Sequence, residues 1–301
     1  MPSVTITTPA STANLGAGFD CLALALELRN TLEVSDSGQG SGLEMRVEGE
    51  GADSVPRDER NLIVRAMERV FEVTGRRPAG RLRLHAVNRI PLGSGMGSSA
   101  ATIVGGLAAA NALVQAGLDR PALLRLAYAL EGHPDNVAAA VYGGLVLVSA
   151  EGDALQAQAV PVPPLRVVIA LPAVRLSTAE ARAALPAQVP LADAVFNVGH
   201  ALFTVQALAR GDEALLAWAM ADRLHQPYRQ KLIPGFAAVE AAARQAGASA
   251  VALSGAGPSL VAFAPDHHAA IAQAMQAAFN AQGLACRTFI LPAATEGVID
   301  G

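Results

Sequence analysis

Lysine, cysteine and charge are scarce in this sequence. Of its 22 basic residues one, Lys231, is a lysine, and charged residues make up 16% of the chain against 52% hydrophobic ones. With a net charge of -4 and no run of basic residues, it offers no basic field to DNA or RNA, which argues against nucleic acid as a partner. The two cysteines, Cys21 and Cys286, stand far apart in apolar runs with no second thiol or histidine at metal spacing. That excludes a disulfide framework and a zinc site and predicts two buried, reduced thiols. The apolar stretch from Ala100 is broken by Asn111 and Gln115 before it reaches spanning length, and the first eight residues have neither the basic start nor the apolar core of a signal. The expectation is a soluble cytoplasmic protein with no membrane partner.

What is present is enough apolar material for two domains in 301 residues. In the first half, alternation predicts strands at 3–8, 22–34, 43–47, 81–90 and 145–148. Helices are predicted over 61–73, 100–116 and 119–131, with a short one from Asn136. Residues 151–164 are poor in pattern and carry Pro161, Pro163 and Pro164, so a boundary is expected there, giving domains 1–157 and 158–301. The second half reads as strands at 165–171, 250–254, 259–263 and 286–291, with helices at 178–185, 191–210, 213–223, 236–245 and 266–282. Taken with its helical stretch as one unit, that is the β-α-β-β-α-β order of ferredoxin-like domains.

The most informative segment is Pro91-Leu92-Gly93-Ser94-Gly95-Met96-Gly97-Ser98-Ser99-Ala100, a glycine-serine loop between a strand and a helix. Three glycines let the backbone bend and approach a ligand closely, while the free N-H groups and dipole of the helix start favour an anion. Ser98 and Ser99 add hydroxyls suited to phosphate oxygens or to magnesium, which takes oxygen ligands. No lysine follows the last glycine, so the segment is not an ordinary P-loop.

Three segments in this order resemble the GHMP small-molecule kinases, with wording closest to the homoserine kinases. They are Pro9-Ala10-Ser11-Thr12-Ala13-Asn14-Leu15-Gly16-Ala17-Gly18-Phe19-Asp20, the Pro91 loop, and Ser254-Gly255-Ala256-Gly257-Pro258-Ser259. Glu131 to Asn136, Ser177 to Pro186 and Arg229 to Pro234 extend the likeness over essentially the whole chain. The resemblance implies an α+β protein: a domain like the second domain of ribosomal protein S5, then a ferredoxin-like GHMP kinase domain, with the active site between them. It also implies transfer of the ATP γ-phosphoryl group to the side-chain hydroxyl of L-homoserine in threonine biosynthesis, and a homodimer.

By that resemblance, residues Pro91 to Ala101 cradle the ATP phosphates, Asn61 lies near adenine, and Ser99 and Glu131 ligate Mg2+. Arg182 and Arg229 grip the substrate carboxylate with the planar fork that suits it. Asp20 takes the ammonium, and Asn14, His133, Thr178 and Gly257 complete the substrate site. Each has a plainer reading as well: Asn61 as a helix N-cap, Asn14 and Asp20 as turn formers, the arginines as surface charges, His133 as structural, and the Ser254 loop as a hairpin turn. Asp135 and Asn136 enter a helix about 100° apart, so one of them faces the acceptor oxygen. A carboxylate base is available if Asp135 does; the resemblance favours Asn136. The competing functions are another kinase of this superfamily, acting on mevalonate, a methylerythritol derivative or a sugar, and an ATP-binding sensor without catalysis.

Overall fold

The computed structural model of the chain describes residues 2–152 and 154–300. The first half runs β1 (Ser3–Ala13), β2 (Leu22–Asp36), β3 (Leu43–Gly49), α1 (Leu62–Thr74), β4 (Leu82–Asn88), α2 (Ser98–Leu113), α3 (Arg120–Glu131), α4 (Pro134–Tyr142), β5 (Leu145–Glu151) and β6 (Ala154–Val160). The second half runs β7 (Arg166–Pro172), α5 (Thr178–Ala183), α6 (Leu191–Arg210), α7 (Glu213–Ala219), α8 (Gln226–Arg229), a 3-10 turn over Gln230–Leu232, α9 (Phe236–Gln245), β8 (Ala250–Leu253), β9 (Leu260–Phe263), α10 (His268–Ala281), β10 (Cys286–Pro292) and β11 (Ile299–Asp300).

Local chemistry sets the helix ends. Asn61 caps α1 by accepting from the Ile63 N-H, and Gly75 ends it in the left-handed conformation. Asp119 caps α3 with Pro121 in its first turn, and Ser177 and Glu180 close a capping box on α5. In α1 the buried Ile63, Met67, Val70 and Phe71 share one face, which packs on α2. Helix α2 is buried nearly all round, because α1, α3, α4 and the first sheet surround it.

Among the described residues the first sheet has seven strands, ordered β11-β1-β2-β4-β3 with β5 and β6 branching from β2; β3 and β4 pair in parallel and the other pairs are antiparallel. The second has four, ordered β10-β7-β9-β8 and antiparallel throughout. A continuous buried cluster joins the halves, with Leu24, Met96 and Leu145 from the first meeting Ile169, Val261 and Phe263 from the second.

Several sequence expectations shift. Strand β6 fills part of the pattern-poor 151–164 stretch and crosses the expected 157/158 boundary, so the first sheet runs to Val160 and the prolines follow it. Its alternation of small and polar residues hides it, since Ala and Gln carry little strand signal. Strand β11 returns from the far end of the chain to pair with β1. Helix α4 begins at Pro134 rather than Asn136, the proline occupying the first turn where its missing N-H costs nothing. Cys286 is buried as expected but Cys21 is exposed, because it lies in the turn just before β2 rather than in a packed apolar run.

Candidate active site

The three glycine-bearing loops meet between the two sheets. Ser254 Oγ donates to the Gly95 carbonyl at 2.8 Å, Asn14 Nδ2 donates to the Gly255 carbonyl at 2.8 Å, and the Gly255 N-H reaches the Ala13 carbonyl at 3.1 Å. Gly95 has φ +77°, and a Cβ there would run into the Ser254 and Gly257 carbonyls. The loop from the first domain therefore touches the Ser254 loop backbone to backbone, and a Cβ on Gly97 (φ +69°) would strike Ser11 Oγ.

A cavity of about 150 Å³ opens at this junction. Its wall includes Asn14, Asp20, Gly93, Ser94, Gly95, Gly97, Ser98, Ser99, Glu131, His133, Asn136, Thr178, Arg182, Arg229 and Gly257. The structure thus brings every predicted substrate-side and metal-side residue to one cavity. Asn61 and Leu92 line an adjoining groove of about 210 Å³, which shares Gly93, Ser98 and Ser99 with the cavity. Pro91, Met96, Ala100 and Ala101 are buried in the protein and line neither space. Their side chains support the loop from behind.

At the polar end, Arg182 and Asp20 form a two-pronged ion pair, with distances of 2.7 and 3.1 Å. Arg182 Nε is a buried donor with no partner among the described residues. Arg229 is almost fully buried, donates to the Ala181 carbonyl, and is held below the usual guanidinium range first by burial and then by Arg182. Both guanidinium groups lie over the Phe19 ring, at 5.7 and 5.1 Å. Burial, then Arg182, pushes His133 below the ordinary imidazole range, so it stands neutral at the cavity wall. Thr178 and Arg182 sit one turn apart on α5, which puts both on one face.

At the opposite end, Ser99 Oγ donates to Glu131 Oε2 at 2.7 Å, and burial raises the Glu131 carboxyl above its usual range. These are two hard oxygen donors at the start of α2 and the end of α3, a donor set that fits magnesium. Ser98 is committed elsewhere, its hydroxyl donating to the Ile90 carbonyl at 3.3 Å.

Between the two ends lie Asp135 and Asn136. Asp135 is buried, and loss of hydration, with Asp20 nearby, pushes its carboxyl up to about 7. Asn136 is fixed by Ser11 Oγ, which donates to its Oδ1 at 2.9 Å, and its Nδ2 points toward Asp135 Oδ1 at 3.3 Å. Both residues border the cavity.

Sequence reasoning missed the supports behind this wall. The Asp222 side chain is buried and accepts from the N-H groups of Leu224, His225 and Gln226 and from Asn197 Nδ2. His225, fully buried and held neutral by burial, donates from Nε2 to the Gly16 carbonyl at 2.8 Å and stacks on Phe19. The signal was the Asp222-Arg223-Leu224-His225 run just before Arg229. Met45, Val47, Val55, Pro56 and Ile63, which make the adjoining groove apolar, carried no signal because strand and helix patterning already accounted for them.

The GHMP kinases N terminal domain family matches residues 61–144 and the GHMP kinases C terminal family matches residues 204–281. The chain is 44% identical over 300 residues to a homoserine kinase of Moorella thermoacetica, covering 99% of each. It is 47% identical to a homoserine kinase of Gloeobacter violaceus, covering 92% of this chain and 93% of the other. The crystal structure of a homoserine kinase from Cytophaga hutchinsonii superposes with a TM-score of 0.90 at 32% identity, covering 100% of this chain and 98% of that one.

Proposed function

This chain belongs to the homoserine kinases of the GHMP kinase family, and from that premise we propose that its cavity transfers the γ-phosphoryl group of ATP to the side-chain hydroxyl of L-homoserine. The products are O-phospho-L-homoserine and ADP, a step of threonine biosynthesis. The observation that carries the reading is that a glycine loop built for phosphate and a paired acid and base built for an amino acid face one another across one cavity.

Phosphoryl transfer asks the protein for positioning and charge neutralisation more than covalent chemistry. The Gly93 to Ser99 backbone presents N-H groups to the phosphates, and the apolar groove beside Asn61 takes the adenine. Ser99 and Glu131 would hold Mg2+, which when bound neutralises charge on the β- and γ-phosphates. Asp20 receives the substrate ammonium, and Arg182 and Arg229 receive its carboxylate, with Asn14, His133, Thr178 and Gly257 shaping the seat. Asn136, oriented by Ser11, holds the hydroxyl in line. The new bond joins the acceptor oxygen to the γ-phosphorus as the bond to the ADP oxygen breaks, and the hydroxyl proton passes to the transferred phosphate. The enzyme is read as a soluble cytoplasmic homodimer.

The experiment is ADP release with ATP, magnesium and a panel of L-homoserine, L-serine, L-threonine, mevalonate and galactose. Selective turnover of L-homoserine is expected. Turnover of mevalonate or galactose alone would retract the roles of Asp20, Arg182 and Arg229, because those acceptors carry no ammonium.

A further inference from the structure

The outer face of α6 carries an apolar ridge that none of the other described residues covers. Leu191, Val195, Val198 and Leu202 recur at spacings of four, three and four residues, which places them in one stripe, and all are between 64% and 79% exposed. Phe203 and Trp218 extend it, packed edge to face at 5.4 Å and half exposed. The opposite face of α6 is anchored by Asn197, His200, Thr204, Ala207 and Leu208, so the ridge is not a packing error of a loose helix. Beside it lies an apolar groove of about 500 Å³, between α6 and the β5-β6 hairpin, lined by Leu22, Leu147, Ala157, Val198, Leu202 and Val205.

The floor of that groove ends in an unprotected sheet edge. Among the described residues β6 pairs with β5 alone, and its sequence Ala-Leu-Gln-Ala-Gln-Ala-Val holds no charge and no proline. The free edge on the far side, β3, carries Glu44, Arg46 and Glu48. Exposed edges are ordinarily guarded by charge, proline or a covering element, and β3 follows that rule while β6 does not.

We infer that the face formed by the α6 ridge, the adjacent groove and the β6 edge is the surface on which a second copy of this chain docks, an inference that rests on the homodimer reading above and names its interface. A ridge and a groove side by side on one face are self-complementary about a two-fold axis, since each copy's ridge can enter the other's groove. The area agrees. The ridge exposes on the order of 600 Å² of apolar surface, and the groove wall and β6 add to it, against roughly 800 Å² per partner in a stable dimer. A patch of this size stands at the upper end of what a monomer exposes, where such patches are often functional. Helix α6 is also long and apolar enough, by length and composition, to cross a membrane. Its flanks, however, hold an Asp193–Arg223 ion pair and Arg210 rather than the collar of basic residues that seats a helix on a lipid surface.

The test is the solution mass of the full chain at micromolar concentration by light scattering, for the wild type, Val198→Glu, Leu202→Glu and a control, Val73→Glu, which charges an exposed apolar site on α1. The expected result is twice the chain mass of 30.7 kDa for the wild type and the control, and a halved mass for the two ridge variants with cooperative melting retained. Folded ridge variants that stay dimeric would put the interface elsewhere and overturn the inference while sparing the homodimer reading. A monomeric wild type would overturn both, and its pelleting with phosphatidylcholine–phosphatidylglycerol vesicles would assign the ridge to a membrane. Should the ridge variants lose their fold, amide exchange of the wild type on dilution decides: protection over 154–160 and 191–210 must fall as the dimer dissociates, and unchanged protection there counts against the interface.

Discussion

Arg182 and Asp20, separated by 162 positions in the chain, neutralise each other across the substrate end of the cavity by two near-parallel hydrogen bonds of 2.7 and 3.1 Å. Each is about a third exposed, so solvent screens the pair and it adds little to stability. We propose that its meaning is in recognition. On the proposed function, a zwitterionic amino acid would replace one internal pair by two new ones, ammonium on Asp20 and carboxylate on Arg182 with Arg229. An acceptor bearing a single charge breaks the pair and leaves one partner unmatched, so the pair selects for both charges at once.

Asp20→Asn and Arg182→Gln should therefore raise the KM for L-homoserine by roughly 10- to 100-fold, the range of a lost charge-assisted hydrogen bond, with the KM for ATP nearly unchanged. Steady-state kinetics with each substrate varied in turn checks this. Equal loss for both substrates would mean that the pair only braces the cavity.

Turnover separates the roles of Asp135 and Asn136. With Asn136 orienting the hydroxyl, Asn136→Ala should lower kcat by about 10²-fold or more, while Asp135→Asn should retain most of it. A collapse confined to the aspartate variant would assign a carboxylate base instead.

Ser99 and Glu131 are expected to set the magnesium requirement. Glu131→Gln removes the charge but keeps the shape, and should raise the magnesium concentration for half-maximal rate by about tenfold; chelation should abolish turnover of the wild type. A magnesium dependence identical in wild type and variant would remove Glu131 from the metal site.

Legibility followed physical distance from the chemistry. Phosphate loops advertise themselves because only glycine fits their backbone, and Gly93, Gly95 and Gly97 do have positive φ. Capped helices were readable for the same local reason, as Asn61, Asp119 and Ser177 show. Asn61 serves as a cap and also borders the groove, so capping does not take it away from that wall. What sequence could not disclose was built by long-range pairing: β11 on β1 from the far end of the chain, and His225 holding the Gly16 carbonyl across 209 positions. The alternation in β6 failed as a signal because its partner, not its residues, makes it a strand.

Gly95 tests the contact between the loops. Its φ of +77° and the carbonyls of Ser254 and Gly257 leave no room for a methyl group, so Gly95→Ala should cost about 2 kcal/mol or more and reduce activity with it, seen as a lower urea midpoint. Gly257 also has positive φ (+88°), so Gly257→Val carries backbone strain too, but its Cβ would meet the movable side chains of Ile233 and Leu176 rather than carbonyls, so it should cost less stability than Gly95→Ala and abolish activity in a protein that still folds. Comparable unfolding of both variants would reduce the Ser254 loop to a structural turn.

Asp135 predicts how stability depends on pH. Its carboxyl is raised from 3.8 to about 7 by burial, so between those values the folded state holds a proton that the unfolded state has released. Stability from this group is fully present below pH 3.8 and is lost as pH rises through about 7, by about 4 kcal/mol at 1.36 kcal/mol per unit. Asp135→Asn cannot ionise and is free of that loss. Urea midpoints of the ligand-free protein at pH 5, 6, 7 and 8 should show the variant gaining on the wild type with each step, with the gap levelling off above pH 7. A constant gap over the whole range would mean that Asp135 keeps its charge in the folded protein, and with it the capacity to act as the base that the asparagine assignment denies it.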